Sequence, residues 1–222
     1  KLSQEEKMTL SMGNIKSVLK LDVSAMILSR DEKIVFVVLR YDGTIKILDI
    51  SDLYSPKVIG SLITPEKDTY SPRSYLDALA LSSDEKTLFI SNFLHLEIID
   101  VADLQSPKRI LFTNTSLFER QELMRDVNMF RTSIALDETT KTLFVAGLGL
   151  LAFDISNITN PTLLKVIKNP LRDQSGEQKI YHANEIKLSL DKKVLFLANN
   201  TLDIYDISNP KENILLLSSL PT

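Results

Sequence analysis

The chain has no cysteine, no tryptophan, and two histidines in 222 residues. Without cysteine there are no disulfides, no thiolate metal centres and no cysteine nucleophile, in whatever compartment the protein works. His95 and His182 stand in no recognisable relation to a nucleophilic serine and a carboxylate, so no catalytic triad is legible. Gly147-Leu148-Gly149 lacks the third glycine and following helix of a dinucleotide site, reads instead as a strand-to-strand turn, and no phosphate loop is present. No apolar run approaches the roughly 18 residues of a membrane span; the longest, Gly147–Phe153 and Ile214–Leu217, are strand-sized. Net charge is -3, so no clustered positive field marks a nucleic-acid or anionic-membrane surface. The 44% hydrophobic content still allows a sizeable core. The first residues, Lys1-Leu2-Ser3-Gln4, are neither an initiator Met nor a signal pattern, which leaves open a removed targeting peptide. Three sequons, at Asn114, Asn157 and Asn199, would matter in a secreted eukaryotic protein.

What the chain does have is a fourfold internal repeat. Leu28-Ser-Arg-Asp-Glu-Lys-Ile-Val-Phe-Val returns from Leu81, from Leu136 and from Leu188, placing an aromatic at Phe36, Phe89, Phe144 and Phe196, with spacings of 53, 55 and 52 residues. A second block, Ile47-Leu-Asp-Ile-Ser in the first unit, repeats its aspartate at Asp49, Asp100, Asp154 and Asp206, and a proline closes each block at Pro56, Pro107, Pro161 and Pro210. β-Branched and aromatic residues gather in runs of four to seven bounded by Asp, Ser, Asn and Pro, so each unit reads as four short strands. In the first unit these are Ala25–Leu28, Ile34–Leu39, Thr44–Leu48 and Lys57–Ile63, joined by tight turns at Asp31-Glu32-Lys33 and Asp42-Gly43. A repeated four-stranded antiparallel unit of about 52 residues describes a blade of a β-propeller.

The two blocks, an aromatic-ended strand and then Asp-Ile-Ser with a downstream proline, resemble the LVIVD-type repeat family of β-propellers over Val23 to Thr222. The expected organisation is residues 1–22 as the outer strand and connection of a preceding blade, or a closing strand, and 23–63 as blade 1. Connection and blade 2 follow at 64–112, connection and blade 3 at 113–167, connection and blade 4 at 168–222. The resemblance implies rings larger than four blades, which favours a segment of a larger ring. An open array leaves a blade face uncovered, so the isolated chain is expected to self-associate or lose stability.

The repeated carboxylates invite an acid-base or metal reading, but Asp49, Asp100, Asp154 and Asp206 end strands just before turns, where an aspartate bonds backbone N–H groups ahead of it. The same applies to Asp31, Asp84 and Asp191, while the four phenylalanines read as inter-blade core. On the first strand of each blade, which lines the channel of a propeller, Ser24, Asp77, Thr132 and Asn184 form a polar tier near His182 and Glu185. Lactonase-like propellers hold channel metals with similar oxygens, so Asp77, Asn184 and Glu185 form the alternative ligand set, for Ca²⁺. A single carboxylate in the tier is too few for an oxygen cage, and the primary reading has no cofactor and no catalytic residue.

Three inter-blade connections are long, Thr64–Ser74, Thr113–Asn128 and Lys168–Tyr181, and all emerge on one propeller face. They carry Tyr70, Arg73, Phe118, Arg120, Arg125, Arg172 and Tyr181, of the types that anchor interfaces, and Leu117–Arg125 suits a short helical turn. Loops on a rigid scaffold carry function more often than the scaffold does. The expectation is therefore a non-catalytic interaction or scaffolding module. Its partners are other proteins or further blades of the same parent chain, with neither nucleic acid nor membrane insertion. The resemblance implies a cell-surface or secreted setting. The alternative is a metal-dependent, lactonase-like hydrolase with its site in the channel.

Overall fold

The computed structural model describes residues 21–39, 44–63, 78–91, 95–114, 132–147, 149–168, 185–198 and 201–221. They form four antiparallel four-stranded sheets with no helix among the described residues. Blade 1 comprises β1 (Val23–Leu28), β2 (Ile34–Leu39), β3 (Ile45–Asp49) and β4 (Lys57–Leu62); blade 2 comprises β5 (Ala78–Leu81), β6 (Thr87–Ser91), β7 (His95–Asp100) and β8 (Lys108–Asn114). Blade 3 comprises β9 (Ser133–Asp137), β10 (Thr142–Ala146), β11 (Gly149–Asp154) and β12 (Thr162–Lys168); blade 4 comprises β13 (Glu185–Leu188), β14 (Val194–Ala198), β15 (Thr201–Asp206) and β16 (Leu215–Pro221). Within each sheet the strands lie in chain order, and β1, β5, β9 and β13 neighbour one another in sequence as the inner strands. The expected fourfold blade architecture is therefore present. One boundary moves: β8 runs through Thr113 and Asn114, because these pair with Leu96 and His95, so both residues belong to blade 2 rather than to the following connection. Lys168 likewise closes β12, opposite Gly149.

Alternation along the strands gives every blade two apolar faces. On β2 and its equivalents, Phe36, Phe89 and Phe144 look forward, toward the next blade in the chain, whereas Val35, Leu88, Leu143 and Leu195 look back. Phe36, Val38, Ile45 and Ile47 accordingly pack on Leu88, Ile90, Ile99 and Val101 of blade 2. Phe89, Leu96 and Ile98 pack on Leu143, Val145, Leu151 and Phe153 of blade 3. Phe144, Ala146, Leu150 and Ala152 pack on Ile186, Leu195, Leu197 and Tyr205 of blade 4. The same heterologous interface is thus made three times. Phe36, Phe89 and Phe144 are 2%, 3% and 0% exposed. Phe196, at the same register, is only partly buried. At the other end, the back face of blade 1 is covered: Val37 is 4% exposed in a cluster with Val35, Leu39 and Leu48, and Leu21, Val23 and Ile50 pack against it.

The blades also meet along their outer edges. A Cβ placed on Gly60 of β4 would lie 1.9 Å from the backbone oxygen of Leu104, in the turn after β7. Only glycine lets the outer strand of blade 1 approach blade 2 so closely, because the obstructing atom is backbone and cannot rotate away.

Two outcomes are expected from urea unfolding. Phe144→Ala costs about 3–5 kcal/mol, as for a fully buried aromatic, and Phe196→Ala less than half of that. Gly60→Ala costs about 1–3 kcal/mol by overpacking against Leu104, although an exposed strand glycine would tolerate alanine.

Candidate functional site

The repeated aspartates are occupied locally. The Oδ1 atoms of Asp49, Asp100, Asp154 and Asp206 accept the N–H of the residue two positions ahead at 2.9, 2.9, 2.8 and 2.8 Å. In the first hairpin of blades 1, 2 and 4, Asp31, Asp84 and Asp191 accept the hydroxyls of Ser29, Ser82 and Ser189 at 2.6–2.7 Å and the N–H of the lysine two residues on. Those serine oxygens in turn accept the N–H that opens the next strand. The tight turn puts Glu32, Glu85 and Lys192 at φ of 58–59°. Blade 3 builds its turn differently, with Asp137 in the serine position accepting Thr139 N–H and the Thr140 hydroxyl. Bonds from the neighbouring serine side chain and then from the backbone hold the carboxyls of Asp49 and Asp206 below their ordinary range, with a smaller contribution from Lys57 at Asp49. Asp31, Asp84 and Asp191 are lowered in the same way, with their adjacent lysines adding to the effect. Asp154 goes furthest, to about 2, because Ser156 and the Lys211 ammonium both reach it.

The channel tier is described in part. Ser24 donates its hydroxyl to Val38 O at 3.2 Å, and Thr132 donates to Ser91 O of the preceding blade at 3.0 Å. Glu185 is exposed and ion-paired with Lys187 at 2.9 Å. Among the described members of the tier, the two hydroxyls donate to backbone carbonyls and the Glu185 carboxylate faces an ammonium. Asp77, Asn184 and His182 lie outside the described residues.

A different polar group sits between blades 1 and 2. Glu97, on the back face of β7, is 3% exposed and accepts Arg109 Nε at 3.2 Å. Arg109 Nη2 donates to Ile63 O at 3.0 Å, at the start of the first long connection, and its guanidinium carbon lies 6.0 Å from the Phe112 ring centroid. His95, at the head of β7, stacks on Phe112 with centroids 4.7 Å apart. The corresponding positions of blade 4 hold Thr201 and Asp203; Asp203 accepts the hydroxyls of Thr201 and Ser219 at 2.8 and 2.5 Å. Burial first, and then the Asp203 charge, push the adjacent Tyr205 phenol up to about 12. Sequence reasoning passed over Glu97 and Asp203; the signal was an acid three residues before the repeated aspartate, inside an otherwise apolar strand.

The LVIVD repeat matches residues 142–167 and 188–219, which span β10–β12 of blade 3 and β14, β15 and most of β16 of blade 4. Blades 3 and 4 therefore carry LVIVD repeats. No curated protein matches the chain in sequence. Solved structures match it in fold. A protein from Lactobacillus plantarum superposes with a TM-score of 0.67 at 16% identity, over 90% of this chain and 57% of that one. The periplasmic gluconolactonase of Pseudomonas aeruginosa gives 0.63 at 15%, over 88% and 56%. The β-propeller domain of Cps50 (Swd1) from Myceliophteria thermophila gives 0.56 at 14%, over 86% and 56%. The chain thus spans little more than half the length of these structures, and at such identity they establish its propeller architecture alone.

The strand ends locate the connection face. In each antiparallel blade the second and fourth strands end on one side, so the segments 63–77, 115–132 and 169–184 all leave and return there. Tyr70, Arg73, Phe118, Arg120, Arg125, Arg172 and Tyr181 lie outside the described residues, as does the expected helical turn at 117–125.

The depressed aspartates set a pH dependence. A carboxyl whose folded pKa lies below its unfolded value stabilises fully above the unfolded value and ceases to do so as pH falls through the folded one. The protein should therefore hold a constant thermal midpoint above pH of about 5 and lose stability progressively below about 4. The loss attributable to Asp154 extends down to about 2. Asp154→Asn should flatten the lowest part of that profile in a pH-jump melting series.

Proposed function

We propose that this chain is a protein-interaction or scaffolding module that binds its partner through the connection face. The observation that carries this reading is the division of labour among its polar residues. The repeated Asp and Ser residues are engaged in holding their own turns. The hairpin turns keep nearly constant length, four or five residues after the first strand and seven or eight after the third, whereas the connections on the opposite side are longer and differ in composition. Constant turns close the scaffold, and varied loops on a rigid frame supply recognition. The Arg109 bond to Ile63 O supports the reading by tying the root of the first connection to a buried ion pair.

The match to a gluconolactonase motivates the second reading, a metal-dependent hydrolase using Asp77, Asn184 and Glu185. The Glu185–Lys187 pair weighs against it. One pair of experiments separates the two. Replacing Arg120, Arg125 and Arg172 together by Ala should weaken capture of the native partner by a factor of ten or more, since each buried anchor is worth ~2 kcal/mol. The circular dichroism spectrum should not change. Unchanged affinity in that variant, together with stoichiometric Ca²⁺ uptake abolished by Glu185→Gln, would favour the hydrolase.

A further inference from the structure

We infer, resting on the connection-face reading, that Arg109 is a positioning residue for that face: carried by blade 2, it fixes the point at which the first connection leaves blade 1. Arg109 uses two edges of its guanidinium at once. Nε donates to the Glu97 carboxylate of its own blade at 3.2 Å, and Nη2 donates at 3.0 Å to the main-chain oxygen of Ile63, the residue that follows β4 of the preceding blade. The neighbouring rings set the aim of this fork. Glu97 lies opposite Phe112 across the β7–β8 ladder, the guanidinium carbon is 6.0 Å from the centroid of that ring, and His95 stacks on the ring at 4.7 Å. Glu97 is buried and the Arg109 side chain is 19% exposed, so competing water is largely kept from the bonds that link them to Ile63.

Comparison among the four repeats separates this role from blade packing. The residue opposite the position before the repeated aspartate is Arg109 in blade 2, but Val58, Leu163 and Leu216 in blades 1, 3 and 4. None of those three side chains can donate a hydrogen bond. At the Glu97 position blade 3 has Leu151, and blade 4 has Asp203, which accepts the hydroxyls of Thr201 and Ser219 inside its own blade. Blade 3 thus meets blade 2 with leucines in both places. Taking a carboxylate and a guanidinium out of water costs about as much as their attraction returns, and aliphatic side chains of similar size serve a junction at least as well. What the pair adds is direction: a hydrogen bond to a main-chain oxygen 46 residues earlier. The second and third connections leave β8 and β12 toward blades that have Leu163 and Leu216 at the arginine position. Arg109 therefore makes the first connection the pre-organised part of the face, and restraint imposed before binding lowers the ordering cost at an interface.

Limited trypsin proteolysis of the 222-residue chain tests this without a partner, so its outcome is independent of the Arg120, Arg125 and Arg172 experiment that tests the connection-face reading. The double variant Glu97→Leu, Arg109→Leu takes the residues of blade 3 and leaves neither charge buried alone. Its urea midpoint should stay at the parent value. Cleavage after Lys67 and Arg73, in the first connection, should accelerate about fivefold or more, while cleavage after Arg120, Arg125 and Arg172, in the other two, keeps its rate. Arg109→Lys keeps a charge opposite Glu97 but loses the two-edged fork, and should accelerate the same two sites about twofold or more. Unchanged cleavage after Lys67 and Arg73 overturns the proposal, as does equal acceleration in all three connections, which marks a general loosening of the fold. Should the double variant fail to fold, Arg109→Lys decides by the same two criteria.

Discussion

Phe36, Phe89 and Phe144 each cross from the second strand of one blade into the aliphatic back of the next, and the remaining features of the molecule follow from that contact. A four-stranded sheet of five- or six-residue strands has two apolar faces and cannot bury either alone. Stacking blades buries both, and a fully buried aromatic contributes about 1.5–3 kcal/mol of transfer free energy at each junction. The inter-blade bonds of Glu85, Glu138 and Ser133, and the close approach of Gly60 to Leu104, then fix the angle at which successive blades meet. At the third junction the hairpin latch is missing, because Lys192 replaces the acceptor; Lys211 reaches back to both oxygens of Asp154 and to Ser156 instead.

The turns show how a repeat tolerates change without losing its shape. In blades 1, 2 and 4 a serine and an aspartate share the first hairpin, each satisfying a backbone N–H that the sheet ladder leaves over. Blade 3 moves the carboxylate to the serine position and recruits threonines, and the left-handed residue shifts to Lys141 at φ of 55°. The flanking strands keep the same pairing around Phe144 as around Phe89. Charge at these positions is thus consumed by local geometry: the four recurring carboxylates hold their own turns.

The features carried by local pattern were legible in the sequence. The phase of Phe36, Phe89, Phe144 and Phe196, and the aspartate two residues before its N–H partner, are contained within a few residues of chain, so the blades and their turns could be placed. Contacts between residues some 50 apart were not. Arg30 with Glu85, Gly60 with Leu104 and Arg109 with Ile63 join different blades, and nothing in either segment alone marks its partner. Glu97 was hidden for a related reason: a carboxylate in a strand reads as an outward residue until the preceding blade is seen to cover it. The connection residues, Arg120 and Arg125 among them, have no repeat to fix their phase, so their chemistry is legible but their arrangement is not.

The central claim is that each blade is stabilised chiefly by the blade that follows it, and native-state amide exchange measured strand by strand tests it most directly. The account predicts that β6 and β10, whose phenylalanines are covered, exchange only near global unfolding, while β14, with Phe196 only partly buried, opens at a distinctly lower free energy. Equal protection of β14 and β10 in the monomeric chain would contradict it.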